Sequence, residues 1–95
     1  SAERYLYSVS PVLKDIVNEE HINEVFKPFI SYLHKAIEVA RREPFCAKVI
    51  DCGFAYRSTK ERPIIYVMCD RTDDGLNYEY SLQKLDELYA EIIDL

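Results

Sequence analysis

From Ile22 to Ala40 the apolar residues keep helical spacing. Ile22, Val25, Phe26, Phe29, Ile30, Leu33, Ile37 and Ala40 form one continuous stripe in steps of three and four. Pro28 falls inside the stripe, where it would remove one helical hydrogen bond and clash with the Glu24 carbonyl. The helix therefore either kinks at Pro28 or begins near Lys27 with Pro28 in its first position. Glu38 and Arg42 are four apart on the outer side, a favourable charge pair, and Pro44 marks the stop. Upstream, Ser10-Pro11 reads as an N-cap and first helical residue. Val12, Leu13, Ile16 and Val17 give that earlier helix a short apolar face, closed near Asn18.

Past Phe45 the period drops to two. Ile50, Cys52, Phe54 and Tyr56 share one parity, and Asp51, Gly53 and Arg57 the other; Ile65, Val67 and Cys69 then alternate with Tyr66, Met68 and Asp70. This predicts a β-hairpin with a Thr59–Arg62 loop and Pro63 at the strand edge. Such a loop sets Cys52 opposite Cys69 and Phe54 opposite Val67, the register that gathers most apolar side chains on one face. Asp74-Gly75 is a second turn signal. Leu76, Tyr78 and Tyr80 alternate with Asn77 and Glu79 in a short third strand. Ser81 then caps a last helix, with Leu82, Leu85, Leu88, Ile92 and Leu95 inward and Asp86, Glu87, Glu91 and Asp94 outward.

The order of elements is ααβββα: N-terminal helices, a three-stranded antiparallel meander and a C-terminal helix. The fold class is α+β, with the helices in one layer against one sheet face. Residues 1–95 suffice for a single domain with a modest core. Its start at Ser1 and its apolar end at Leu95 read as those of a domain from a longer protein. The second sheet face, from Val49, Asp51, Gly53, Ala55, Ile64, Tyr66 and Met68, is half apolar and has no helix left to cover it. Either the N-terminal Arg4–Val9 strip or another molecule would have to do so. Tyr66, Tyr78 and Tyr80 are the aromatics expected to line such an exposed face, since tyrosine suits interfaces.

A net charge of −5 argues against general nucleic-acid binding, which draws on Lys and Arg. The helix–meander–helix layout resembles that of double-stranded-RNA-binding domains, which meet phosphates with a basic start to the last helix. Here that start is Ser81-Leu82-Gln83-Lys84-Leu85-Asp86, which excludes that mode. The uncharged run Pro63–Cys69 is far short of a membrane span, as is every other uncharged run in the chain. Three cysteines, Cys46, Cys52 and Cys69, lack metal-ligand spacing and read as reduced thiols, which points to the cytoplasm. Should two of them pair, the expected register nominates Cys52 and Cys69.

Among candidate chemistries, Asp70, Thr72, Asp74 and Gly75 match the first half of a calcium loop. Ser81 stands where the bidentate Glu belongs, so the stretch reads as a turn. No nucleophile elbow, phosphate loop or dinucleotide fingerprint occurs, and His34 reads as a packed or rim residue. No catalytic residue, metal site or cofactor is expected. The remaining feature is the basic hairpin of Arg57, Lys60 and Arg62 beside Ile64, Tyr66 and Met68 on the uncovered face. The expectation is a non-catalytic protein–protein interaction or oligomerisation domain, binding a partner protein or its own copy through these six residues. An anion- or nucleic-acid-binding module centred on the hairpin is the alternative, and a small enzyme comes last.

Overall fold

The structure, a computed structural model, describes residues 22–70 and 76–93. Within them run a 3-10 helix (Glu24–Phe29), helix α1 (Ser31–Ala40), strands β1 (Lys48–Phe54), β2 (Ile64–Asp70) and β3 (Leu76–Ser81), and helix α2 (Leu82–Ile93). The α+β meander with a C-terminal helix is as the residue pattern predicts. The Ser10–Asn18 helix, the Arg4–Val9 strip, the Asp74-Gly75 turn and residues 94–95 lie outside the described residues.

Pro28 is accommodated in neither of the two expected ways. Glu24–Phe29 winds as a 3-10 helix, and α1 begins only after Ile30. Asn23 Oδ1 accepts from the Val25 amide at 3.0 Å, and the Phe26 amide donates to the Asn23 carbonyl at 2.9 Å. With bonds reaching three residues back, a proline costs one bond without the clash an α-helix would impose. Phe26 stacks on Phe54 with ring centroids 4.8 Å apart, which holds this turn against the sheet.

The strands form one antiparallel sheet in the order β1-β2-β3. Ile65, Val67 and Cys69 of the central strand are wholly buried under Leu33, Ala36, Ile37 and Ala40 of α1. From α2 only Leu85 is fully enclosed; Leu82, Leu88, Tyr89 and Ile92 pack partly against the same core. Ser81 ends β3 and caps α2 in one residue, its Oγ accepting from the Lys84 amide at 3.1 Å. The two helices are joined at the surface by Lys35 to Asp86 (2.9 Å) and by the Tyr32 hydroxyl to Asp86 (3.1 Å). On α1, Glu38 accepts from Arg42 at 3.0 Å, the expected pair, and also from Arg41 at 3.2 Å.

The register differs from the expected one. Cys52 pairs with Val67 and Phe54 with Ile65, two residues away from the Cys52–Cys69 and Phe54–Val67 pairing. The tip is nonetheless at Thr59–Arg62, whose backbones exchange hydrogen bonds of 3.1 and 3.2 Å. Between this tip and the Ala55–Ile64 bond (2.7 Å), the chain after β1 carries Tyr56, Arg57 and Ser58 against Pro63 alone. A slip of two keeps side-chain parity, so the inner face survives. A second irregularity, a bulge at Ile50 between Val49 and Asp51, does reverse parity. It turns Val49 inward and leaves Ile50 45% exposed, the reverse of the expected placement.

The same two shifts decide the cysteines. Val49 takes the position opposite Cys69, and the Ala47 amide bonds the Asp70 carbonyl at 3.2 Å, which brings Cys46 beside Cys69. Cys46 and Cys69 form a disulfide with their Cα atoms 5.2 Å apart, and Cys52 is a free buried thiol. The expectation of three reduced thiols fails, as does the nomination of Cys52 as the partner of Cys69. Burial raises the Cys52 thiol, chiefly by desolvation and secondarily by the Asp51 charge.

His34 is 7% exposed, with Nε2 3.4 Å from the Tyr89 hydroxyl and Nδ1 without a partner. Desolvation lowers its pKa; Lys35 adds to this and Glu38 opposes it. Its folded pKa lies below the unfolded one, so the unfolded chain binds the extra proton and stability falls as pH drops below about 6.5. Glu38 is held low against its own desolvation by Arg42 and Arg41. Asp86 is held low chiefly by Lys35. Both lose their contribution at lower pH. The melting temperature should decline as pH falls below about 6.5, and His34→Leu should remove the first part of that decline but not the later part that the carboxylates carry. An unchanged slope in the variant would show that His34 does not carry it.

Candidate interaction surface

With both helices on the inner face, no described element packs on the outer face of the sheet. Asp51 and Gly53 of β1, Ile64, Tyr66 and Met68 of β2, and Asn77 and Glu79 of β3 form its rows. Val49 and Ala55, expected here, are buried instead. Val49 is turned in by the bulge, and Ala55 bonds Ile64 at the foot of the tip. Tyr78 and Tyr80 also leave the expected surface. They lie opposite Val67 and Ile65 on the inner side, stacked on each other with centroids 6.3 Å apart.

Tyr66 is the centre of the outer face. Its hydroxyl donates to Asp51 Oδ2 at 2.9 Å, while Asp51 Oδ1 accepts from the Cys52 amide at 2.9 Å. Its ring lies over Gly53: a Cβ there would sit 3.0 Å from a ring carbon, so a glycine is what admits the ring. Partial burial, then the Asp51 hydrogen bond and charge, push the Tyr66 phenol up to about 12. It remains a neutral hydrogen-bond donor at any physiological pH. On its other side Tyr66 faces Glu79.

Glu79 is gripped by Arg57 in a two-pronged contact, both N–O distances 2.9 Å. Such geometry is the strong form of an arginine–carboxylate pair. The extra length of chain at Tyr56–Ser58 is what lets Arg57 reach the third strand. Ser58 fastens that excess by donating through Oγ to the Ile64 carbonyl (2.8 Å) and accepting from its amide (2.9 Å).

Of the six expected binding residues, the fold therefore places Ile64, Tyr66 and Met68 in one half-exposed row along β2. It commits Arg57 to Glu79. Lys60 and Arg62 lie exposed at the tip, with no side-chain partner among the described residues. Sequence reasoning missed Tyr56, taken as an inward strand residue. It is fully solvent-exposed beside Arg57. The available signal was the polar run Arg57-Ser58-Thr59 that follows it, which ends the alternation before the tip.

Charge is distributed unevenly along this face. The tip end carries Arg57, Lys60 and Arg62, with Glu61 among them; the far end carries Asp70, with Lys48 as its cross-strand neighbour, and Asp51 lies between. Among the described residues no group of three His, Cys, Asp or Glu side chains is arranged to hold a metal, and no helix is long and apolar enough to cross a membrane. The acidic bend after Asp70 lies outside the described residues. No family model, curated protein or solved structure matches this chain.

Proposed function

We propose that this is a non-catalytic oligomerisation domain that pairs with a second copy of itself through the outer face of its sheet. The observation that carries the reading is the ordered row Ile64–Tyr66–Met68 on a face that no described helix covers. Tyr66 is pre-set there by Asp51 and Gly53, so little side-chain freedom is lost on docking. A two-fold axis at Tyr66 lying in the interface plane and across the strands would set the basic tip of one copy near the Asp51 and Asp70 region of the other. Self-complementary charge of this kind belongs to an isologous contact. Tyr56, exposed at the rim, is an aromatic anchor of the type that dominates interface energies.

The anion-binding alternative has less support, because Arg57 is already neutralised by Glu79. A cytoplasmic setting was expected from reduced thiols. The Cys46–Cys69 bond withdraws that ground, since structural disulfides persist mainly in oxidising compartments. Sedimentation equilibrium tests the reading. The protein should run as a dimer at micromolar concentration. Met68→Lys, which sets a cation beside Asp51 and so preserves the fold, should weaken the dimer at least tenfold. A monomer at all concentrations, or a dimer indifferent to Met68→Lys, contradicts it.

A further inference from the structure

A cavity of about 300 Å³ opens between α1 and the start of β1, lined by Ile37, Arg41, Cys46, Ala47, Lys48 and Val49. Ile37 is fully buried and Val49 nearly so, which gives an apolar floor. Cys46 supplies part of one wall, and the two bridged residues differ in exposure. Cys46 is partly exposed and lines the cavity, whereas Cys69 is wholly buried on the central strand. The charged residues that line the opening, Arg41 and Lys48, are both cations, with Asp70 across the ladder from Lys48 and Glu43 three residues before Cys46. Arg41 and Arg42 share the single carboxylate of Glu38, and Lys48 adds a cation with no side-chain partner among the described residues. A partly exposed disulfide cysteine lining a cavity whose charged side chains are cations is a setting for thiol–disulfide exchange, where the attacking species is an anion.

We infer that this cavity admits a small anionic thiol, which exchanges at Cys46. The incoming thiolate attacks Cys46 Sγ, and a new S–S bond forms to the incoming sulfur as the Cys46–Cys69 bond breaks. Cys69 leaves as a thiolate and takes a proton from solvent. Sulfur oxidation is conserved overall, and a second thiol of the same class, attacking the mixed disulfide, completes reduction and leaves Cys46 as a thiol. Cys52 takes no part: it is 5% exposed and its thiol is held protonated by burial. Exchange would free the Glu43–Ala47 connection from β2, leaving the Ala47–Asp70 bond to hold the start of β1.

The test compares two small thiols on the folded protein: mercaptoethanesulfonate, an anion, and cysteamine, a cation, with rates expressed per thiolate. At low ionic strength the anion should react about three- to tenfold faster, and the gap should close as salt is added. Peptide mapping of the quenched mixture should find the adduct on Cys46. The double variant Arg41→Gln, Lys48→Gln should keep the reaction but lose the preference. Equal rates for the two thiols, a preference unchanged in the double variant, an adduct on Cys69, or reaction only in denaturant would each overturn the proposal.

Discussion

Replacing Cys46 and Cys69 together by alanine is expected to lower the melting temperature by roughly 15 °C. The bridged residues are 23 apart. Closing a loop of that length in the unfolded chain is worth about 3 kcal/mol in the chain-entropy account. For a domain of this size each kcal/mol corresponds to about 4–8 °C. The bond also joins the connection after α1 to the central strand, so it fixes where β1 begins and with it the Val49–Cys69 register. Thiol titration in denaturant without reductant should find one reactive thiol, Cys52. Three reactive thiols, or a double variant that melts with the parent, would remove the disulfide from the account of stability.

The second large effect separates two adjacent residues. Ile65→Ala should cost about 2–5 kcal/mol, because Ile65 is wholly buried between Phe54 and Tyr80 and the cavity it leaves cannot collapse easily. Ile64→Ala, one position earlier, should cost about 1 kcal/mol, since that side chain stands on the outer face with part of its surface already in water. Urea unfolding of both variants measures the difference. A larger loss for Ile64 than for Ile65 would mean that the sheet presents its other face to the helices. Similar large losses for both, at concentrations where the protein is monomeric, would mean that the outer face is covered within the same chain.

What could be read from the residues was the periodicity. The stripe Leu33–Ile37–Ala40, the alternation Ile65–Val67–Cys69, the cap at Ser81 and the Thr59–Arg62 tip all lie where local pattern put them. Local pattern did not reveal how many residues sit between the tip and the ladder. Tyr56-Arg57-Ser58 against Pro63 shifts the register by two while preserving parity, so no hydrophobic count detects it. The bulge at Ile50 does change parity, but Val49 and Ile50 are both apolar, and exchanging them leaves the pattern equally good. The disulfide followed from these two hidden shifts and was invisible for that reason. At the candidate surface the row Ile64–Tyr66–Met68 was legible from alternation. The Asp51 clamp, the Gly53 seat for the ring and the Arg57–Glu79 grip depend on cross-strand neighbours that only the register supplies.

The central claim, that two copies meet through the outer sheet face, is tested most directly by isotope-filtered NMR on an equimolar mixture of labelled and unlabelled protein. Contacts between copies should appear at the Met68 and Ile64 side chains and the Tyr66 ring, together with Tyr56 at the rim, and should vanish in Met68→Lys. A mixture with no contacts between copies, or with contacts only along the β1 edge at Phe45 and Ile50, would contradict it.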